Sequence, residues 1–302
     1  MASKKMVFHV FDIECKHVTP QAPKLSKELY SALNGTETTL ERMMKLSSEQ
    51  DSKDSDFISN FHENKGYLFG SFVRLNEGEE SRVLIEQLKQ KTVEINKIVS
   101  EADEGTAGSV KDTVFFCCYE DVMVMNSAHN NQKALSTYIN WLLTKDTQKE
   151  LSYNFNYRMN TTTTIPIQDV KSIRIGDTYL NKIPQFRKTR MSIGNSVLKH
   201  FFSDIKLPTD FEYDDIISAT LNINLKKKAI EKQDALNTAL RIVDDPNVTI
   251  VGRNGNTIKG SQYKMKATRE IERTMDGYFN EKEIESNMRE IIRAVRSGEV
   301  VS

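Results

Sequence analysis

Two acidic residues near the start of the chain have a spacing that could support metal chemistry. Asp12 and Glu14 lie one residue apart within 7–14, where β-branched and aromatic residues alternate loosely and predict a strand. Side chains two positions apart on a strand share a face, so the two carboxylates could hold a divalent ion together. A metal-dependent nuclease that uses Asp12 and Glu14 is therefore one alternative for the function.

This acidic pair resembles the first motif of the exonucleases related to the RNase H fold. Such sites need further carboxylates from later motifs, and no later acidic motif in the sequence has a matching position. The histidines show no paired spacing that suits a metal site, and no phosphate-binding loop ends in Gly-Lys-Ser or Gly-Lys-Thr. We therefore predict no catalytic residues, no metal and no cofactor, and a solvated strand face is the simpler interpretation of the pair.

Lysine and arginine clusters offer a different chemistry, the binding of phosphates. The chain has no net charge, yet residues 158–273 carry 20 Lys and Arg against 13 Asp and Glu, whereas residues 1–157 carry 18 against 23. Cations along a groove neutralise phosphates and release counterions, which gives affinity without sequence reading. The alternative is an ordinary solvated face. The predicted DNA contacts are Lys226, Lys227, Lys228, Arg187, Lys188, Arg190, Arg253, Lys259, Lys264 and Lys266.

The hydrophobic pattern places these candidates on strands and helices of both kinds. Predicted strands follow alternating or short apolar runs, and they cover 7–14, 67–75, 114–119, 121–126, 170–175, 218–225, 248–252 and 258–266. A hairpin turn is predicted at 253–256 from its Asn-Gly pair. Predicted helices cover 24–33, 39–46, 131–145, 228–243, 268–278 and 281–296, and 47–55 is predicted to be a solvated loop.

The order of these elements predicts an α+β fold with two domains, each with a mixed, mostly antiparallel sheet and packed helices. The seam is expected near 152–164, where an aromatic alternation gives way to a polar run. We predict an N-terminal α+β domain over 1–157 and a basic C-terminal α+β domain with a helical tail over 158–302.

The chain also lacks the sequence features of an exported or membrane protein. Its apolar runs are far shorter than the ~20 residues that span a bilayer, and its start has no signal-peptide cleavage site. Cys15, Cys117 and Cys118 have no metal-ligand or disulfide spacing, which suits buried thiols in a reducing compartment. These observations predict a cytoplasmic protein.

The C-terminal half contains TLNINLKKKAIEKQ followed by VDDPNVTIVGRNGNTIKGSQY, which gives the order strand, lysine run, helix, Asp-Pro stop, strand, Gly-Asn hairpin and strand. This order resembles the C-terminal half of the RexA family of phage-exclusion proteins. The segments GYLFGSFVRL and TVFFCCYEDVMVMNSAHNNQKALSTYINWLL resemble the front half of the same family.

The resemblance implies an architecture like that of the ring-forming recombination-associated protein RdgC, a homodimer or higher oligomer, and binding of double-stranded DNA with little sequence preference. It further implies a role in anti-phage defence by abortive infection or exclusion. A small membrane protein encoded nearby would be the partner, and it could recruit the chain to the inner membrane. The remaining alternative is a regulatory interaction protein that does not bind nucleic acid.

Overall fold

A computed structural model of the chain describes residues 3–15, 23–46, 54–76, 86–94, 110–126, 129–145, 152–158, 160, 169–179, 218–224, 248–259, 262, 264–274 and 279–299. They fall into two compact units. Unit 1 comprises Met1–Arg158 and Met265–Ser302, and unit 2 comprises Met159–Lys264. Helices and antiparallel sheets are both present, which confirms the predicted α+β fold class.

The elements are numbered in chain order. The strands are β1 (Ser3–Cys15), β2 (Met44–Lys45), β3 (Asp54–Asn64), β4 (Tyr67–Asn76), β5 (Val110–Tyr119), β6 (Val122–Met125), β7 (Tyr153–Tyr157), β8 (Val170–Tyr179), β9 (Ser218–Asn224), β10 (Val248–Gly252), β11 (Thr257–Lys259) and β12 (Lys266–Glu272). The helices are α1 (Leu25–Asn34), α2 (His129–Thr144) and α3 (Glu281–Ser297), and a 3-10 turn covers Leu40–Arg42. Among the described residues, no helix is long and apolar enough to cross a membrane.

Unit 1 is built on one large antiparallel sheet with the strand order β12-β1-β6-β5-β4-β3-β2, and β7 pairs with β1. Helices cover both of its faces. On one face the Tyr138 ring of α2 lies 5.5 Å from Phe72. On the other face Glu285 of α3 pairs with His62 at 2.9 Å. His62 lies opposite Phe69 of β4, and because Phe69 and Phe72 are three positions apart, their side chains point to opposite faces of the sheet.

The central strands β5 and β6 are apolar because both faces of the sheet are covered. All four residues of β6 and the run Val114–Cys118 of β5 are buried. Gly70 of β4 allows the close approach that a glycine inside a strand indicates, since a Cβ built there would lie 2.6 Å from the Phe116 ring.

Strand β3 was not predicted from the sequence, which indicated a helix over 39–46 and a solvated loop over 47–55. The structure has a 3-10 turn and a two-residue strand in the first segment, and Asp54–Asn64 pairs with β4. Three polar residues of β3, Ser55, Asp56 and Ser59, are buried: the Ser59 and Ser71 hydroxyls lie 2.9 Å apart, and Asp56 binds Arg74. Polarity in this segment therefore reflects a paired interior and not solvation.

The end of the chain also differs from the prediction. A helix was predicted over 268–278, but residues 268–272 belong to β12, which runs antiparallel to β1 with Ser3 opposite Glu272 and His9 opposite Lys266. Its alternating burial has the two-residue period of a strand. This pairing places Met265–Ser302 in unit 1, so the predicted C-terminal domain of 158–302 does not match the observed division, whereas its start lies at the observed boundary after Arg158.

The last helix, α3, agrees with the prediction for 281–296. The Asn280 side chain accepts a hydrogen bond from the Glu283 N–H at 3.3 Å, which caps the first turn, and Gly298 ends the helix with a φ of 77°. Its buried residues recur every three or four positions and are Ile284, Met288, Ile291, Ile292 and Val295.

Unit 2 contains a four-stranded antiparallel sheet with the order β11-β10-β8-β9. The predicted strands at 170–175, 218–225 and 248–252 correspond to β8, β9 and β10. The strand predicted over 258–266 is instead divided between β11 in unit 2 and β12 in unit 1. The helix predicted over 228–243 lies outside the described residues.

Candidate nucleic-acid interface

The four-stranded sheet of unit 2 carries two exposed cations on one of its sides. Ile250 of β10 is fully buried, and its neighbour Thr249 points to the opposite face because successive residues of a strand alternate. Arg174 of β8 and Lys259 of β11 are both exposed. These two cations lie on the side opposite Ile250, and Ser172 on that same side is buried.

Strand register brings two of these cations onto one row. Thr249 is the Cα partner of Arg174 on one side and of Lys259 on the other. Directly opposed residues of antiparallel strands share a face, so Arg174 and Lys259 lie on the same side of the sheet. Two strand spacings separate their backbones, which is about 10 Å. The row therefore presents one long cationic side chain on each side of Thr249.

The predicted hairpin at 253–256 is confirmed, and it places a third cation at one end of this sheet. The Gly252 N–H donates to the Asn256 carbonyl at 2.8 Å, and Gly255 adopts a φ of 86°, which favours glycine. The Arg253 N–H donates to the Asp169 carbonyl at 2.8 Å, which holds the start of the turn against the residue that precedes β8. Arg253 and the rest of the turn are exposed.

The charge of the whole unit agrees with this local picture. Unit 2 carries 16 Lys and Arg against 11 Asp and Glu, whereas unit 1 carries 26 against 31. The excess of positive charge in unit 2 attracts polyanions, and the attraction is screened by salt. Lys171 of β8 is exposed as well.

The predicted DNA contacts are thus only partly brought together. Arg253 and Lys259 lie on the same hairpin, as predicted. Lys264 is half-buried at the end of unit 2. Lys266 is not on the hairpin strand, because it begins β12 of unit 1 opposite His9. Six further predicted contacts lie outside the described residues, namely Lys226, Lys227, Lys228, Arg187, Lys188 and Arg190.

Arg174 is not among the DNA contacts predicted from the sequence, although the alternation in 170–175 marks it as outward. The signal that selects it is the register between β8 and β10, which places it opposite Thr249. That register depends on pairing between strands far apart in the chain, so a local pattern does not contain it.

The acidic pair on β1 has partners other than a metal. Asp12 lies 3.4 Å from Arg158, and the Asn156 side chain donates to Glu14 at 3.0 Å. Burial raises the pKa of Asp12, an effect that Arg158 opposes. Within the described ranges, no group of three or more His, Cys, Asp or Glu residues is arranged to hold a metal ion.

From this geometry we expect the purified protein to leave plasmid and single-stranded DNA intact in the presence of Mg²⁺ or Mn²⁺. A nuclease site of this type needs several carboxylates around its ions, and one paired aspartate with an amide-bound glutamate does not supply them. Gel analysis of both substrates checks the prediction. Cleavage that disappears in an Asp12→Ala variant would contradict it.

A cleft of about 390 Å³ lies in unit 1 between β3, β4 and the start of α3. Its polar groups bind one another: Glu285 pairs with His62 at 2.9 Å and with Arg289 at 3.2 Å, and the Asn60 side chain donates to Glu281 at 3.2 Å. These contacts hold α3 against the sheet, so the polar groups of the cleft have a structural role.

No protein-family model, curated protein or solved structure matches this chain. The fold and the described site define an α+β protein whose smaller unit presents exposed cations on one side of its sheet.

Proposed function

We propose that the chain binds double-stranded DNA with little sequence preference through unit 2. The observation that carries the proposal is the in-register row of Arg174, Thr249 and Lys259 on one face of the sheet. Guanidinium and ammonium groups are donors to phosphate oxygens, and threonine hydroxyls commonly add further phosphate contacts. Exposed Arg253 extends the cationic surface to the hairpin turn.

The chemistry of this face favours the phosphate backbone over the bases. Reading of bases needs side chains that enter a groove and match the edges of base pairs, whereas single-stranded DNA is bound by stacking on aromatic rings. The side chains described on this face, those of Ser172, Arg174, Thr249, Val251, Thr257 and Lys259, include no aromatic ring. Contacts of this kind support affinity for any duplex sequence and a strong dependence on salt.

The test replaces the two cations of the row with neutral, polar side chains. Arg174→Gln with Lys259→Gln should reduce the slope of log affinity against log salt by about 1.8, because each phosphate contact contributes about 0.9. Affinity near 0.1 M salt should fall on the order of tenfold or more, equally for unrelated duplexes. Fluorescence anisotropy of labelled duplexes measures both quantities.

The matched control removes the same charge from unit 1. Lys27→Gln with Lys133→Gln changes two exposed helical lysines and should leave the slope within about 0.3 of the unmodified protein. If the variant with Arg174→Gln and Lys259→Gln has the same slope of log affinity against log salt as the unmodified protein, these two residues do not contact DNA and the proposal for this face fails.

The resemblance to the RexA family supports a place for this binding in phage exclusion, with a small membrane protein encoded nearby as the partner. In that role the chain would bind DNA in the cytoplasm and act through the partner at the inner membrane. Phage plating on cells that carry the chain with and without the neighbouring gene tests the idea. Equal plating on both strains and on cells that lack the chain would contradict it.

A further inference from the structure

Strand β12 forms one end of the large sheet in unit 1, and among the described residues it has a strand neighbour on one side only. The Met265 carbonyl, just before β12, accepts from the Val10 N–H of β1 at 3.1 Å. Backbone groups of alternate residues point to opposite sides of a strand, so Lys266, Thr268 and Glu270 direct theirs away from β1. The outer edge of β12 therefore offers a row of donors and acceptors for another strand.

Two side chains limit where a second strand can pair. The Glu272 N–H donates to the Glu283 carboxylate of α3 at 2.8 Å, which ends the available edge on that side. The Arg269 guanidinium donates to the Thr268 carbonyl at 3.0 Å, which leaves this oxygen one lone pair for a donor from another strand. The side chains of Lys266, Thr268 and Glu270 are all exposed. The open segment is thus short and has Thr268 at its centre.

We propose that β12 pairs antiparallel with β12 of a second copy of this chain, with a two-fold axis at Thr268. In this register Lys266 lies opposite Glu270 of the second copy, and the same pair recurs on the other side of the axis. Cross-strand pairs of opposite charge stabilise a sheet, and like charges directly opposite destabilise it. The strand is therefore complementary to itself, which identifies its partner.

Neighbouring symmetric registers lack this complementarity. Centring the axis on Arg269 places two arginines opposite each other, and centring it on Glu270 places two glutamates opposite each other. The register at Thr268 also extends a charge row within each copy, because Glu270 lies opposite Lys5 of β1. Glu270 then stands between Lys5 of its own chain and Lys266 of the second copy.

A charge-swap series tests this pairing in the full chain without DNA, so its outcome is independent of the proposed DNA binding. Lys266→Glu and Glu270→Lys each place like charges opposite each other twice, and each should weaken dimerisation about tenfold or more. The combination of both substitutions restores opposite charges and should return the dissociation constant to within about threefold of the unmodified protein. Analytical ultracentrifugation across a concentration series measures these constants.

The design separates pairing between copies from effects within one copy. Position 270 lies opposite Lys5 in the single Glu270→Lys variant and in the combined variant alike. Recovery of the dissociation constant in the combined variant therefore reports contact between copies only. Lys133→Glu, an exposed reversal on α2, is the matched control and should leave the constant unchanged. A protein that stays monomeric across the series, or single variants that dimerise like the unmodified protein, would overturn the proposal.

A cross-link locates the axis directly. Thr268→Cys, made with Cys15→Ser to remove the partly exposed thiol, should form a disulfide-linked dimer on mild oxidation. Residues opposed in a hydrogen-bonded antiparallel pair have Cα atoms about 5.5 Å apart, which is within disulfide range. The Cys15→Ser protein alone should remain uncross-linked. Absence of the linked species in Thr268→Cys samples that sediment as dimers would exclude this axis.

Discussion

Replacing Arg42 with alanine is expected to lower the free energy of unfolding by about 4 kcal/mol. Arg42 is fully buried. Its Nε donates to the Ile58 carbonyl at 2.6 Å, and its Nη2 donates to the Lys91 carbonyl at 2.6 Å. Substitution removes the charged donor of both carbonyls and opens a cavity.

The Arg42 site connects three segments of unit 1 that no single strand pairing joins. Besides Ile58 and Lys91, its guanidinium donates to the Ser59 carbonyl at 3.3 Å and to the Thr36 hydroxyl at 3.1 Å. Burial lowers the pKa of Arg42 to about 10, so the group remains a cation at neutral pH. The charge makes each of these hydrogen bonds stronger than a neutral one.

Urea denaturation monitored by circular dichroism checks the prediction for Arg42. Tyr138→Phe serves as a graded comparison, because the Tyr138 hydroxyl donates to the Arg42 carbonyl at 2.8 Å and accepts from the Ile58 N–H at 3.3 Å. Its loss should cost about 1–2 kcal/mol. Lys27→Ala, at an exposed position of α1, should change stability by less than about 0.5 kcal/mol. An Arg42→Ala cost as small as that of Lys27→Ala would show that the network adds no stability.

The second large effect is expected at Arg74, whose removal as Arg74→Ala should cost about 3 kcal/mol near neutral pH. Arg74 and Asp56 lie opposite each other on β4 and β3 and form two parallel hydrogen bonds of 2.6 Å. The Asp56 side chain is 1% exposed. Without Arg74, a buried carboxylate has lost its cation, and Asp54 nearby adds repulsion.

This cost should depend on pH in a defined direction. Burial raises the pKa of Asp56, and Arg74 opposes that rise. In Arg74→Ala the pKa of Asp56 rises further above its value in the unfolded chain, so the folded state gains a proton first as the pH falls. The stability deficit relative to the unmodified protein should therefore be largest near about pH 8 and shrink towards about pH 5.

Adding Asp56→Asn to Arg74→Ala provides the control, because it removes the titrating carboxylate. The double variant should lose the pH dependence and recover part of the stability. Urea denaturation midpoints of both variants, measured between about pH 5 and 8, test this expectation. A deficit in Arg74→Ala that is constant over this range would show that Asp56 is not the cause.

Much of the fold could be predicted where burial leaves a local pattern. The apolar run of β5, the hairpin turn at 253–256 and helix α3 all show the expected period or capping residues. Strand β3 was missed because Ser55, Asp56 and Ser59 are polar yet buried. Their partners come from β4 and elsewhere, and a single segment does not show its partners.

Strand β12 was mistaken for a helix for a related reason. Its two buried apolar residues, Ala267 and Ile271, are four positions apart, a spacing that fits one face of a helix as well as one side of a strand. Pairing with β1 at the other end of the sequence decided between them. The same long-range register hid the row of Arg174 and Lys259, so the sequence identified the hairpin cations but not their neighbour on β8.

The central claim is that unit 2 binds duplex DNA through its phosphates, and one measurement tests it most directly. The affinity of the intact protein is measured for several unrelated duplexes of equal length as the salt concentration is raised. We expect log affinity to fall linearly with log salt, with the same slope for every duplex and affinities within about threefold of one another. Absence of binding at low salt, or an affinity that does not change with salt, would contradict the claim.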